Sequence, residues 1–290
     1  MSSVIDLAVI GGSGFYEMPG LESLEEVWVE TPFGPPSDAI RVGRLAGKRV
    51  AFLARHGRGH RLLPTELPQR ANFWALKSLG VRRVLALSAV GSLREDFRPG
   101  ELVTPDQLMD RTRANRPATF FGDGVVAHVG FAEPVCPSLR AAAAAAGRAA
   151  GATIHESGTY VCIEGPAFGT RAESELYRNW GADLVGMTAI PEAKLAREAE
   201  LCYALVAAVT DYDAWREGHD AVDAAAVFAV LIKNVEVSQN LVRALASALG
   251  DSDTCACELT LDSALVTQPA AIPETARARL EPILRRRLAR

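Results

Sequence analysis

The chain has 290 residues, of which 49% are hydrophobic and 23% charged, with a formal net charge of -4. That is enough apolar material for a sizeable core in one large α/β domain or two smaller ones, and the charged fraction is ordinary for a globular protein. The acidic balance and the lack of a long basic run argue against a nucleic-acid partner, and no stretch approaches the ~20 uninterrupted apolar residues of a membrane span.

The N-terminus reads MSSVIDLAVIGG. It has no basic start and no long apolar stretch of the secretory kind, so the cytoplasm is expected. Its LAVI run predicts a buried first strand over Asp6–Ile10. Further strands are predicted over Arg49–Ala54, Arg83–Ala89, Glu101–Val103, Gly158–Ile163, Leu184–Gly186 and Leu205–Val209. Helices are predicted over Pro68–Leu79, Pro137–Ala150, Ala172–Trp180, Ile190–Glu200, Asp223–Leu249 and Glu274–Leu288. The runs near Ile10, Val84 and Leu205 are almost continuously apolar, as in strands covered on both faces. Their alternation with helices predicts an α/β sheet flanked by helices. Without a repeat or a Gly/Ser linker, one domain over 1–290 is the simpler reading. The basic tail Arg285, Arg286, Arg287 and Arg290 reads as the solvated end of the last helix. Five scattered cysteines, Cys136, Cys162, Cys202, Cys255 and Cys257, predict reduced, mostly buried thiols. Cys255-Ala256-Cys257 lacks a second Cys or His pair at zinc spacing, so no metal site is expected.

In such sheets ligands bind beyond the carboxyl ends of the strands. The first strand ends in Gly11-Gly12-Ser13-Gly14, which reads either as a tight turn or as backbone N–H groups and a hydroxyl for an anion. It has neither the dinucleotide GxGxxG nor the P-loop spacing. The second ends in Arg55-His56-Gly57. A buried Arg there needs a carboxylate, giving a structural ion pair, or an anion, which its planar fork suits; His56 can donate a further hydrogen bond. The third ends in Ser88-Ala89-Val90-Gly91-Ser92, with a hydroxyl and exposed amides again. Three strand ends offering Ser, Arg/His and Ser point to a phosphate pocket. Phe168, after the Gly165-Pro166 turn, can offer a flat face to a base. Thr188 is a further hydroxyl, and Met187 can pack on a sugar or belong to the core. Asp211 and Asp213, separated by Tyr212, follow an apolar strand. A desolvated carboxyl there can donate a proton at neutral pH; the pair also reads as metal ligands or as a helix N-cap before Trp215.

Gly11–Phe15, Ala54–Gly57, Ala71–Lys77, Gly91–Glu95, Ile163–Ser174, Gly186–Glu192 and Thr210–Trp215 fall in an order that resembles the methylthioadenosine phosphorylases, within the trimeric purine nucleoside phosphorylase group. The likeness runs from about residue 6 to about 240. It implies a single-domain α/β fold with a mixed, partly barrel-like central sheet flanked by helices. The implied reaction is phosphorolysis of 5′-deoxy-5′-methylthioadenosine to adenine and 5-methylthioribose 1-phosphate, in purine salvage. It needs no metal and no organic cofactor, inorganic phosphate being a co-substrate. The resemblance places phosphate on Ser13, Arg55, His56, Ser88, Ala89 and Thr188. It places Met187 against the ribose and Phe168 beside the purine, with Gly169 near a position linked to base and sugar specificity. Asp211 would serve N7 and Asp213 the 6-amino group. Ala224, Val227 and Phe228 would form the 5′ pocket, with His128 entering from a neighbouring subunit of a homotrimer or a dimer of trimers.

Relatives acting on 6-oxopurines carry Asn at the first position of the acidic pair. An amide donates to an oxo group, whereas a carboxylate accepts from an amine, so Asp211 favours an adenine nucleoside. The alternatives are turnover of adenosine, of 6-oxopurine nucleosides or of a 5′-halo-5′-deoxyadenosine. A nicotinamide-dependent oxidoreductase would need an acid after the second strand, where this chain has Arg55-His56.

Overall fold

The computed structural model describes residues 4–12, 18–113, 116–216, 224–250 and 255–289, with the backbone alone at 224–229, 231 and 233. The strands are β1 (Leu7–Gly11), β2 (Glu22–Val27), β3 (Ile40–Leu45), β4 (Lys48–Ala54), β5 (Arg83–Ser92), β6 (Leu102–Val103), β7 (Gln107–Arg111), β8 (Ile154–His155), β9 (Thr159–Ile163), β10 (Leu184–Gly186) and β11 (Cys202–Asp211). The helices are α1 (Gln69–Ser78), α2 (Pro137–Ala149), α3 (Arg171–Asn179), α4 (Ala189–Glu198), α5 (Ala224–Ala248), α6 (Leu261–Ala264), α7 (Glu274–Arg279) and α8 (Glu281–Leu288). A 3-10 turn, Asp213–Trp215, follows β11 directly.

All eleven described strands join one mixed sheet, with the path β2-β3-β4-β1-β5-β10-β9-β7 and a branch through β11, β6 and β8. Alternate residues of the central strands enter two different cores, because successive side chains of a strand point to opposite faces. Ala8, Ile10, Val84, Ala86, Leu205 and Ala207 pack with α1, α4 and α8. Leu7, Val9, Leu85, Leu87, Ala204 and Val206 pack with α2 and α5. The apolar runs read from sequence are therefore strands covered on both faces.

Sequence patterning passes over β2, β3, β7 and β8. β2 is ESLEEV, exposed along most of its length, and pairs only with β3 at the sheet edge. Charge on an edge strand discourages pairing with another chain. Gly43 lets β2 close on β3, since a Cβ there would lie 2.8 Å from the Glu22 carbonyl oxygen. The single C-terminal helix expected over Glu274–Leu288 is two, α7 and α8, parted at Leu280. Pro282 sits in the first turn of α8, where it cannot donate the N–H that would continue α7. The basic tail is only partly solvated. Arg286 pairs with Glu200 at 2.5 Å and with Asp262 at 2.7 Å, and the Glu200 side chain is 2% exposed. Arg290 lies outside the described residues.

β5 sets up the site. Along one edge it pairs in parallel with β11 from Arg83 to Gly91. On the other edge it pairs with β1 at Val84–Ala86 and with the antiparallel β10 at Gly91–Ser92. Between Ala86 and Gly91 that second edge has no strand partner among the described residues. The sheet splits there, and such a split leaves a crevice with free backbone groups at its rim.

Candidate active site

A cavity of about 350 Å³ opens at this split. Its lining includes Arg55, His56, Ser88, Ala89, Phe168, Gly169, Met187, Thr188, Asp211 and Asp213, together with Gly12. These residues lie within β5 or at and after the ends of β1, β4, β9, β10 and β11, so widely spaced parts of the sequence meet in one place. Ser88 and Ala89 do not follow their strand as expected. β5 continues to Ser92, and the two residues lie inside it, at the point where the edge toward β1 is released.

In one part of the cavity the polar atoms suit an anion. The Ser88 and Thr188 hydroxyl oxygens are 3.0 Å apart. Arg55 is 1% exposed. Its Nε donates to Glu192 Oε1 at 2.5 Å, Nη2 to Glu192 Oε2 at 3.2 Å and to the Ile10 carbonyl at 3.5 Å, and Nη1 to the Leu87 carbonyl at 2.8 Å. The two sequence readings of Arg55 are thus not exclusive. The ion pair is present, and of five N–H bonds one on Nε, two on Nη2 and one on Nη1 are engaged, which leaves one without a partner among the described residues. Tyr203 donates to Glu192 Oε2 at 3.0 Å, so the buried carboxylate is also held from the sheet. Such a pair is stable in the interior only when its hydrogen bonds are this complete.

His56 differs from its expected role as a donor. Its Nδ1 is 2.8 Å from the Leu62 carbonyl, an acceptor, so Nδ1 carries the hydrogen. Burial, helped by the Arg55 charge, lowers the ring pKa to about 4. At neutral pH the remaining nitrogen, Nε2, therefore offers a lone pair. His60 stacks on this ring with centroids 4.2 Å apart.

The acidic pair lines the same cavity beside Gly91, three residues along β5 from Ser88. Asp211 ends β11, and Asp213 begins the 3-10 turn in a left-handed conformation, φ 50°. The Asp213 N–H donates to Asp211 Oδ1 at 2.8 Å, and the Thr210 hydroxyl donates to Asp211 Oδ2 at 2.7 Å. Burial raises the pKa of both carboxyls from the ordinary value, against the lowering effect of the hydrogen bonds they accept. Asp213 Oδ2 is buried without a hydrogen-bond partner among the described residues. Gly91 admits the pair, since a Cβ there would lie 3.1 Å from both Asp211 Oδ1 and the Asp213 Cβ. The alternative of an N-cap is excluded for Asp213, which lies inside the turn, and Tyr212 at its N-cap position makes no side-chain capping bond.

Met187 and Phe168 are placed by the segment after β9. Gly165 adopts φ +67°, and a Cβ there would lie 2.5 Å from Met187 Sδ. Arg116 donates to the Met187 carbonyl at 2.6 Å and to the Glu164 carbonyl, and pairs with the Glu164 carboxylate at 3.2 Å. α3 opens on a capping box between Thr170 and Glu173, which fixes the exit of the same segment. Phe168 remains 45% exposed at the cavity mouth.

Sequence reasoning left Glu192, Arg116, His60, Asn234 and Ser238 without a role. Glu192 sits in the apolar stretch Ala189-Ile190-Pro191-Glu192-Ala193 and is 0% exposed; an acid in such a stretch is a usable signal, because burying it demands a cation. Ser13 and the side chains of Ala224, Val227 and Phe228 lie outside the described residues. His128 is not among the residues lining this chain's cavity; its N–H donates to the Ala264 carbonyl at 2.9 Å.

A sequence profile described as the phosphorylase superfamily matches residues 6–247. An S-methyl-5′-thioadenosine phosphorylase of Geobacter sulfurreducens is 53% identical over 96% of this chain and 97% of its own length. One from Chloroflexus aurantiacus is 56% identical over 96% of each chain. A crystal structure of a methylthioadenosine phosphorylase sourced from an antarctic soil metagenomic library superposes with a TM-score of 0.93 at 46% identity, covering 97% of this chain and 99% of that one. The Schistosoma mansoni methylthioadenosine phosphorylase in complex with adenine gives a TM-score of 0.80 at 33% identity, over 97% and 98% of the two chains.

Proposed function

Since the chain belongs to the phosphorylase superfamily and, within it, to the S-methyl-5′-thioadenosine phosphorylases, we propose that it cleaves 5′-deoxy-5′-methylthioadenosine with inorganic phosphate, releasing adenine and 5-methylthioribose 1-phosphate. The observation that carries this reading is one cavity lined both by paired hydroxyls, Ser88 and Thr188, and by two buried carboxyls of raised pKa, Asp211 and Asp213.

Phosphate accepts from the Ser88 and Thr188 hydroxyls, the backbone at Ala89 and the remaining Arg55 N–H. Hydrogen phosphate also carries one P–OH, and His56 Nε2 is the group that accepts from it. The purine enters beside Phe168 with its 6-amino group toward Asp213 Oδ2, and Met187 covers the ribose. Cleavage of the C1′–N9 bond leaves an oxocarbenium-like sugar. The phosphate oxygen below C1′ stabilises that charge and then forms the C1′–O bond. Protonated Asp211 delivers its proton to N7, and the electron pair of the broken bond stays on the purine. The phosphate loses its proton on becoming an ester, so the proton given to adenine is balanced overall. No metal or organic cofactor enters this scheme. The same reading makes the enzyme a cytoplasmic homotrimer, with His128 completing a neighbour's site beside Ala224, Val227 and Phe228.

A panel of methylthioadenosine, adenosine, inosine and a 5′-halo-5′-deoxyadenosine, each with and without phosphate, tests it. Methylthioadenosine should lead, and adenine release should require phosphate. Undiminished release without phosphate would make the enzyme a hydrolase, and faster turnover of inosine would overturn the substrate assignment. Sedimentation equilibrium should return three chains; a monomer at full activity would exclude a role for His128 in a neighbour's site.

A further inference from the structure

Four thiols converge at a place the phosphorolysis scheme does not use. Cys136 is the N-cap of α2, where its Sγ accepts from the Leu139 N–H at 3.5 Å. Cys202 is the first residue of β11. Cys255 and Cys257 flank Ala256 at the start of the described C-terminal segment. The Sγ atoms of all four lie within 4.8 Å of one another, with Cys136 and Cys255 3.6 Å apart. Cys136, Cys202 and Cys257 are buried and Cys255 is half-buried. The second pair that Cys255-Ala256-Cys257 lacks in sequence is thus supplied in space by Cys136 and Cys202.

We propose that Cys136, Cys202, Cys255 and Cys257 form a tetrathiolate site for a zinc(II) ion that fastens the C-terminal segment to the sheet. A tetrahedral ion with Zn–S bonds of about 2.3 Å places its sulfurs about 3.8 Å apart. Four sulfurs already within 4.8 Å of one another reach that figure with movements of about 1 Å or less. Mutual proximity of all four is the requirement of a single central ion, whereas two separate disulfides require closeness only within each pair. The donor set is wholly sulfur, which selects zinc and other soft cations over magnesium or calcium. Four protein ligands close the coordination sphere, so the ion is structural and does not activate water. Cys136 caps the N-terminus of α2, where its Sγ accepts from the Leu139 N–H, and a helix N-terminus favours the negative charge of a thiolate.

The ligands come from α2, β11 and the C-terminal segment. The family match ends at residue 247, so two of the four lie beyond it. β11 starts at Cys202 and ends at Asp211. Ten residues at about 3.3 Å each hold the cluster roughly 30 Å from the acidic pair, which separates its effect from the chemistry.

The test uses the full-length protein, reduced, freed of metal by chelation and then offered zinc(II) or cobalt(II). Retention of one zinc per chain after desalting, measured by mass spectrometry of the elements, is expected. Cobalt should give thiolate charge-transfer absorption and the strong visible bands of a tetrahedral site. The C255S/C257S variant should lose both signals and melt at lower temperature while keeping the kcat for methylthioadenosine. Failure of the reduced protein to retain zinc would overturn the proposal. So would an octahedral cobalt spectrum, an unchanged cobalt spectrum in the double variant, or recovery of the protein from cells metal-free with its thiols paired as disulfides.

Discussion

Asp211→Asn probes the acidic pair most directly, because the structure lets the change be close to neutral for folding. The amide oxygen can keep the 2.8 Å bond from the Asp213 N–H. The amide nitrogen would face the Thr210 hydroxyl, now 2.7 Å from Oδ2. That hydroxyl can turn its hydrogen wholly to the Val90 carbonyl, 3.1 Å away, and accept from the amide. No buried polar atom is orphaned, so a stability change within about 1 kcal/mol is expected. The proton is what is lost. General acid catalysis contributes at least ~10²-fold, so kcat for methylthioadenosine should fall by about that factor, or about 2.7 kcal/mol. Wild-type kcat should also decline as pH rises through the raised pKa of Asp211, since the protonated form is the donor; that limb should vanish in the variant. Turnover of inosine relative to methylthioadenosine should rise, because an amide can donate to a 6-oxo group. The assay is phosphate-dependent base release against pH, with thermal melts of both proteins. An unchanged kcat, or a decline with the same pH limb, would refute Asp211 as the proton donor.

Thr188→Val keeps the shape but removes one anion donor, so the KM for phosphate should rise ~10-fold, about 1.4 kcal/mol, with the nucleoside KM much less affected; equal effects on both would separate Thr188 from the phosphate. Glu192→Gln leaves the buried Arg55 guanidinium without its counter-charge, and denaturant titration should show a loss of about 3–5 kcal/mol; a loss below about 1 kcal/mol would mean that the pair is not needed to hold Arg55. Gly165→Ala combines a strained φ of +67° with a Cβ 2.5 Å from Met187 Sδ, so nucleoside KM should rise while phosphate KM holds, in steady-state kinetics with each substrate varied. His56 carries a folded pKa of about 4 against 6.5. The unfolded chain therefore binds the proton first, and the stability His56 contributes above pH 6.5 is lost as pH falls toward 4. The stability difference between wild type and His56→Gln should change across that window and be flat above it; a flat difference throughout would remove the linkage.

What the sequence made legible follows from how local each signal is. The apolar runs of β1, β5 and β11 are legible because both faces are covered, and the site residues at their ends follow from that placement. The β2–β3 pair is not, since ESLEEV has no alternation and only Leu24 and Val27 as apolar residues, and is held by pairing with β3. The pairing of Arg55 with Glu192 joins residues 137 positions apart, which no spacing rule anticipates. The proximity of Cys136 and Cys202 is hidden for the same reason, since three helices and three strands separate them in sequence. The single helix expected over Glu274–Leu288 passes over Pro282, whose missing N–H marks the break at Leu280.

The electrostatics of the cavity tie the anion site to the acidic pair. Arg55 and Glu192 cancel, so the buried part of the anion site holds phosphate through hydroxyl and amide dipoles and a neutral His56, with the Arg61 guanidinium on the cavity lining as a further positive charge. Two ionised carboxylates in the same cavity of about 350 Å³ would repel the dianion. Burial already shifts both toward the protonated form, and a bound phosphate raises their pKa further, since a like charge nearby disfavours ionisation. By linkage the effect is mutual: a proton on Asp211 strengthens phosphate binding as much as phosphate holds that proton. The nucleophile thus favours the protonation state of the acid that the leaving purine requires, and phosphate affinity should weaken with rising pH above the pKa of the pair, beyond what the titration of phosphate itself accounts for.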